Sequence, residues 1–255
     1  MRDSQLQRLI SLLDLTSLSA TDTPDHIREL CAKGLEPLAQ FPDVHVAGIC
    51  VYSALVPVAH ELLAGTPVRL ASVAGGFPAG QASLAVKAFE SGEAVAHGAD
   101  EIDLAINRGA ALSGNLAAVY AEIVSVRQAI GEATLKVIFE TGEILPDRQL
   151  LSELATIAID AGADFLKTST GMIPAGATEE GTFILATAAR AADRRVGVKP
   201  SGGIGSIAMA TRLLELAESI LGPLDARSFR LGASGLLDRL IEAAGGQESE
   251  AGSGH

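Results

Sequence analysis

The sequence is poor in lysine, with five in 255 residues against fourteen arginines. It is also poor in cysteine: only Cys31 and Cys50 are present, too few and too far apart for a metal-type pair. Reduced thiols in a cytoplasmic protein are therefore expected. No apolar run approaches the roughly 18 residues of a membrane span. The opening Met1-Arg2-Asp3-Ser4-Gln5 leads into an amphipathic helix and not a signal-peptide core. A soluble protein with no membrane partner is the expectation. Positive charge is in deficit, giving a net charge of −12. That argues against nucleic acid as a partner, because phosphate backbones are held by clustered Lys and Arg. It leaves room for a small phosphate ester in one local site. His26, His45, His60, His97 and His255 show no HxxxH or HExxH spacing, so no metal site is expected.

What is present is a strand–helix alternation over nearly the whole chain. Short apolar, β-branched runs occur at 12–16, 44–52, 68–73, 101–106, 134–140, 164–168, 195–199 and 228–231, as suits buried strands of a parallel sheet. Helical patterns follow at about 24–39, 54–64, 81–97, 115–130, 147–161, 178–191, 206–221 and 234–244. Thr23 before Pro24, Asp147 after Pro146, and Thr178 before Glu179 and Glu180 carry helix-start chemistry. Gly98, Gly131, Gly162 and Gly222 stand where helices should stop. Eight units in about 250 residues point to a single-domain (β/α)8 TIM barrel. A short helix at 3–11 would cap its lower end. The first strand is the weakest; without it, seven strands would favour an open doubly wound sheet. The domain is expected to span 1–244, with a Gly/Ser/Glu-rich disordered tail at 245–255.

The scarce lysines divide unevenly. Lys33 and Lys87 lie in polar-faced helical stretches and read as solvated. The others lie in apolar segments: Leu135-Lys136-Val137-Ile138, Phe165-Leu166-Lys167-Thr168 and Val198-Lys199-Pro200. Lysine is almost never buried without a partner or a task. In a parallel barrel the C-terminal strand ends build the active site, and Lys167 and Lys199 end neighbouring strands. A single strand-end lysine can simply snorkel into water. Two adjacent ones in low dielectric cannot both stay charged cheaply, which favours one free, nucleophilic amine. Asp103, alternating with Glu101, is a buried acid that needs a partner such as Lys136 or Lys199. For Lys136, a structural ion pair and a catalytic part are equally open. Asp14 is a second inward acid or a turn cap. Cys50 reads as a small buried hydrophobe more than a nucleophile.

Glycines follow the last two strands, in Ser201-Gly202-Gly203 and in Gly232-Ala233-Ser234-Gly235. Loops at those places commonly cradle phosphate. Gly75-Gly76-Phe77-Pro78-Ala79-Gly80 is either a shaped active-site loop or an ordinary connector.

From about Leu12 to Leu240 the chain resembles the deoxyribose-phosphate aldolase family. The likeness lies in Leu13-Asp14-Leu15-Thr16, Phe77-Pro78-Ala79-Gly80, Ala99-Asp100-Glu101-Ile102-Asp103, Leu135-Lys136-Val137-Ile138, Glu140-Thr141-Gly142, Lys167-Thr168-Ser169-Thr170-Gly171, Lys199-Pro200-Ser201-Gly202-Gly203 and Gly232-Ala233-Ser234. The resemblance implies reversible retro-aldol cleavage of 2-deoxy-D-ribose 5-phosphate to D-glyceraldehyde 3-phosphate and acetaldehyde, in deoxynucleoside breakdown, without metal or organic cofactor. It implies Lys167 as Schiff-base lysine, Lys199 as modulator of its pKa, and Asp103 as proton relay. Asp14, Lys136, Cys50, Thr168 and Thr170 would support them. Gly171, Gly202, Gly203, Gly232 and Ser234 would hold the phosphate. Met172 and Gly205 stand near positions where many relatives carry a lysine and an arginine, so a weaker phosphate preference is an expectation. A homodimer is expected.

Overall fold

The computed structural model describes residues 3–251, with side chains to residue 245. Its eight strands are Leu13–Thr16 (β1), Gly48–Tyr52 (β2), Arg69–Ala74 (β3), Glu101–Ala105 (β4), Thr134–Ile138 (β5), Phe165–Lys167 (β6), Gly197–Lys199 (β7) and Leu231–Ala233 (β8). All pair in parallel, in the order β7-β6-β5-β4-β3-β2-β1-β8. Parallel bridges Val198↔Phe229 and Ser201↔Gly232 join the two ends of that order, so the sheet closes into a (β/α)8 barrel. The first strand is real and pairs with both β2 and β8, which removes the open-sheet alternative.

The helices are Asp3–Ser11 (α1), Pro24–Leu35 (α2), Val56–Leu63 (α3), Leu84–Ala96 (α4), Arg108–Leu112 (α5), Leu116–Ile130 (α6), Thr141–Ile144 (α7), Arg148–Asp160 (α8), Glu179–Ala191 (α9), Ile207–Leu221 (α10) and Leu236–Ala251 (α11). Helix α1 buries Leu6, Leu9 and Ile10 just before the lower end of β1. The caps act locally: the side chains of Thr23, Asp147 and Thr178 accept from the backbone N–H of His26, Leu150 and Gly181. Each satisfies a donor that the first helical turn leaves free. Several elements are shorter than expected, among them β2, which starts at Gly48 and not at 44, and α2, which ends at Leu35 and not at 39. The eighth strand begins at Leu231, because the backbone N–H groups of Ser228 and Phe229 are taken by the carbonyl of Asp225 in a turn. The last helix continues to Ala251, past the boundary at 244. Gln247, Glu248, Glu250 and Ala251 have good helix propensity despite the preceding glycines. The rest of the expected tail, 252–255, lies outside the described residues.

Alternation along the strands separates two interiors. Leu13, Leu15, Ile49, Val51, Ile102, Leu104, Leu135, Val137, Leu166 and Val198 join the apolar core that the helices cover. The residues between them, including Asp14, Cys50, Asp103, Lys136, Lys167 and Lys199, face into the barrel. No helix among the described residues is long and apolar enough to cross a membrane.

Lys87 corrects a sequence expectation: it is buried, not solvated. Its ammonium donates to Glu122 Oε2 at 2.7 Å and to the carbonyl of Ala105 at 2.9 Å. The other oxygen of Glu122 accepts from the N–H of Asn107 at 2.8 Å. This pair joins α4 and α6 to the end of β4. Burial pushes the Lys87 amine down and the Glu122 carboxyl up, and each partner opposes the shift. Lys87→Met strands a buried carboxylate, so it should lower the unfolding free energy by about 3–5 kcal/mol. Urea denaturation reads the change; an unaltered midpoint would contradict the bracing role.

Candidate active site

The strand register does the first positioning. Asp103 on β4 is paired across the ladder with Lys136 on β5, and Lys167 on β6 with Lys199 on β7. Inside the barrel these side chains converge on one carboxylate. Asp103 Oδ2 lies 2.7 Å from Lys167 Nζ and 2.8 Å from Lys199 Nζ. Its Oδ1 lies 2.8 Å from Lys136 Nζ. Asp14 Oδ2 meets Lys199 at 2.5 Å and stands 3.9 Å from Lys136. Lys136 also pairs with Glu101. Arg230 closes the cluster from below, bound to Asp14 and, at 3.0 Å, to Glu101. All seven groups are buried.

These contacts separate the lysines electrostatically. Burial pushes the Lys167 amine below its ordinary value; Asp103 resists, and Lys199 adds to the lowering. Burial acts the same way on Lys199 and Lys136, but their carboxylate partners outweigh it and hold both above the ordinary value. Burial alone would raise the Asp103 carboxyl, yet three lysines hold it well below the carboxylate range. Asp14 is likewise held low, by Arg230 and the lysines against its burial. Of the three lysines inside the barrel, Lys167 is thus the one with a lowered proton affinity. Cys50 Sγ is 3.9 Å from Asp103 Oδ2, and burial beside that carboxylate raises its pKa, which keeps a thiol and not a thiolate.

Above the cluster, at the C-terminal ends of the strands, lies a cavity of about 550 Å³. Gly171, Gly202, Gly203, Gly232 and Ser234 all line it, with Thr170, Ser17 and Ser19 nearby. Gly202 has φ +79°, and a Cβ there would meet Gly171 Cα at 2.9 Å, so only glycine lets the two loops touch. Gly232 links floor to cluster: a Cβ on it would stand 3.1 Å from Lys199 Cε. Thr168 is outside the cavity lining. Its hydroxyl accepts from the N–H of Ser201 at 3.0 Å, tying the ends of β6 and β7 together. Thr170 donates to Glu140, a buried residue in left-handed conformation (φ 46°) whose carboxyl is raised by burial. The N–H of Met172 in turn donates to the Thr170 hydroxyl at 3.1 Å, which fixes the rim of the cavity. Opposite, Leu18, Tyr52 and Phe77 pack on Cys50, Ala71 and Val73 as a small apolar wall.

Sequence reasoning missed two arginines. Arg230 carried the signal already used for the lysines, a charge inside an apolar run, Phe229-Arg230-Leu231. Arg239 is the one basic side chain lining the cavity among the described residues. Nothing local marks it, because barrel closure brings the start of α11 beside β1. Among the described residues no cluster of three or more His, Cys, Asp or Glu is arranged to hold a metal ion.

Residues 8–237 match the family described as DeoC/LacD family aldolase. The deoxyribose phosphate aldolase from Aeropyrum pernix, of tetrameric structure, is 31% identical to the chain. That match covers 95% of this chain and 93% of that one, with a TM-score of 0.76. QR15, an aldolase, is 28% identical over 96% of this chain and 98% of that one, with a TM-score of 0.77. A protein from Toxoplasma gondii ME49 reaches a TM-score of 0.84 over 95% of each chain at 23% identity, a likeness of fold alone.

Asp103→Asn tests the electrostatics directly. It leaves four buried cations facing two carboxylates, so the folded state should disfavour protonated lysine. The unfolded chain then binds more protons, and the variant's stability should rise with pH through the neutral and alkaline range, more steeply than the parent's. Denaturation at several pH values measures this; parallel pH curves for the two proteins would refute it.

Proposed function

Because the chain belongs to the DeoC/LacD aldolase family, we propose that it cleaves 2-deoxy-D-ribose 5-phosphate reversibly to D-glyceraldehyde 3-phosphate and acetaldehyde, through a Schiff base on Lys167. The observation that carries the reading is the Asp103 oxygen shared by Lys167 and Lys199, with only Lys167 lowered in proton affinity. Its free amine adds to the C1 aldehyde of the open-chain sugar. Loss of water from the carbinolamine gives an iminium. The C3 hydroxyl then loses its proton, the C2–C3 bond breaks, and its electron pair flows to the iminium nitrogen as an enamine. Glyceraldehyde 3-phosphate leaves with C3 as its new aldehyde. Protonation at C2 and hydrolysis of the iminium release acetaldehyde and restore the amine.

Asp103 accepts from three ammonium groups and is a weak base on its own, which favours a relay role through Lys199 or a water. Lys136 and Asp14 hold that relay in place. Thr168 and Thr170 order the strand-end loops. Gly171, Gly202, Gly203, Gly232 and Ser234 would receive the substrate phosphate, and Arg239 supplies a cation in the same cavity. Arg239 would offset part of the weaker phosphate preference expected from Met172 and Gly205. The setting this implies is cytoplasmic breakdown of deoxynucleosides.

Borohydride reduction in the presence of acetaldehyde, followed by peptide mass mapping, should place an ethyl adduct on Lys167; an adduct absent there rejects the mechanism. Arg239→Ala should raise KM for the 5-phosphate roughly tenfold, the worth of one charge-assisted contact. It should leave kcat and the kinetics on unphosphorylated 2-deoxyribose unchanged. Equal KM values in the two proteins would remove Arg239 from the site.

A further inference from the structure

We propose that Arg230 and Glu101, at the bottom of the barrel interior, are positioning residues that set the charge balance from which Lys167 emerges as the lysine that gives up its proton. This deepens the Schiff-base reading of Lys167 and rests on it. Neither residue reaches the cavity at the upper strand ends. Both act through the lysines and carboxylates above them.

The geometry fixes which cation is in surplus. Four cations, Lys136, Lys167, Lys199 and Arg230, face three carboxylates, Asp14, Glu101 and Asp103. A surplus positive charge in low dielectric is costly and is relieved by loss of a proton. It cannot be lost at Arg230, since guanidinium stays protonated in proteins. The loss therefore falls on a lysine, and the lysines are unequally held. Lys136 pairs with Glu101 and Asp103 and stands 3.9 Å from Asp14. Lys199 pairs with Asp14 and Asp103. Lys167 has Asp103 alone, on the oxygen it shares with Lys199. The groups facing Lys167 are Asp103 from β4, Lys199 from β7 and the neutral thiol of Cys50 from β2, while Lys136 from β5 meets the other oxygen of Asp103. Its position as the least-paired cation follows from how the carboxylates below are used.

Arg230 governs that use. It occupies one oxygen of Asp14 and one of Glu101, so each offers its remaining oxygen to the lysines. Arg230 is itself held in place: its Nε donates to the carbonyl of Ala226, and its guanidinium lies 5.8 Å from the centre of the Phe165 ring. The ring fits because its ladder partner is Gly197, where a Cβ would come within 2.3 Å of it.

The test uses two substitutions with opposite expected signs. Arg230→Met leaves three cations for three carboxylates, so Lys167 should keep its proton to higher pH. Glu101→Gln leaves four cations for two carboxylates, so Lys167 should lose its proton at lower pH. The double variant restores a surplus of one and should return to the parent value. The readout is the pH dependence of reductive ethylation of Lys167 by acetaldehyde and cyanoborohydride, mapped by mass spectrometry and referenced to the outer-surface Lys33. Each single variant should move the midpoint by roughly one pH unit, the scale of one charge acting across several ångströms at an effective dielectric near 20. A purely structural role predicts lost stability with no opposed shifts, and unmoved midpoints overturn the inference. If Arg230→Met does not fold by circular dichroism, the near-isosteric Glu101→Gln decides alone: a midpoint unchanged or raised overturns it. Absence of any Lys167 adduct in the parent protein overturns the Schiff-base reading and this inference together; an adduct with identical midpoints throughout overturns the inference only.

Discussion

One carboxylate, Asp103, binds three lysines inside the barrel, and the arrangement of the interior follows from it. Ions removed from water regain their lost hydration only through close and complete pairing. That pairing depends on strand register: Asp103 opposite Lys136, Lys167 opposite Lys199. A slip of one residue in any of these strands would turn its charge into the apolar layer under the helices. The closed parallel ladder is thus what makes a seven-membered charge cluster tolerable. The cluster, in turn, penalises every other register.

The chain's reactive end has a different character. Glycines and hydroxyls line the cavity over β1, β6, β7 and β8, while Tyr52 and Phe77 meet edge to face, ring centres 6.1 Å apart, over β2 and β3. One side suits an anion and the other an apolar fragment. The proposed substrate, deoxyribose 5-phosphate, would match that polarity, with its phosphate at one end and the C1 aldehyde and C2 methylene at the other. The lysine that would attack lies between them and below, almost wholly shielded from solvent. A buried amine keeps its lowered proton affinity only while water is kept away.

The sequence made the barrel legible because strand period, helix period and cap chemistry are local properties. Thr23, Asp147 and Thr178 could be placed as caps without knowing what their helices touch. Lys136, Lys167, Lys199 and Asp103 were conspicuous because a charge within an apolar strand demands a partner. The same demand was present in Glu101 and Arg230 and could have been followed as readily. Lys87 was not legible. Its partner Glu122 lies a helix and a strand further along the chain, and the residues flanking Lys87 in α4 look amphipathic. Arg239 was hidden for a similar reason: its relation to the cavity exists only once β8 has closed against β1. The start of β8 shifted because the Asp225 carbonyl captures two backbone donors, a turn that hydrophobicity does not report.

Stability and chemistry occupy opposite faces of the same strands. On β4, Ile102 and Leu104 pack under the helices while Glu101 and Asp103 carry charge inward; on β7, Val198 and Lys199 divide in the same way. The apolar face supplies the burial that a domain of this size needs. The inward face is thereby released from packing duty and can hold charged groups whose mutual pairing offsets the cost of burying them. Seven charges held there form a balance that apolar packing would not supply. Lowering the proton affinity of one lysine while raising that of its neighbours is the task proposed for the set, which runs from Lys167 at the top to Arg230 at the bottom.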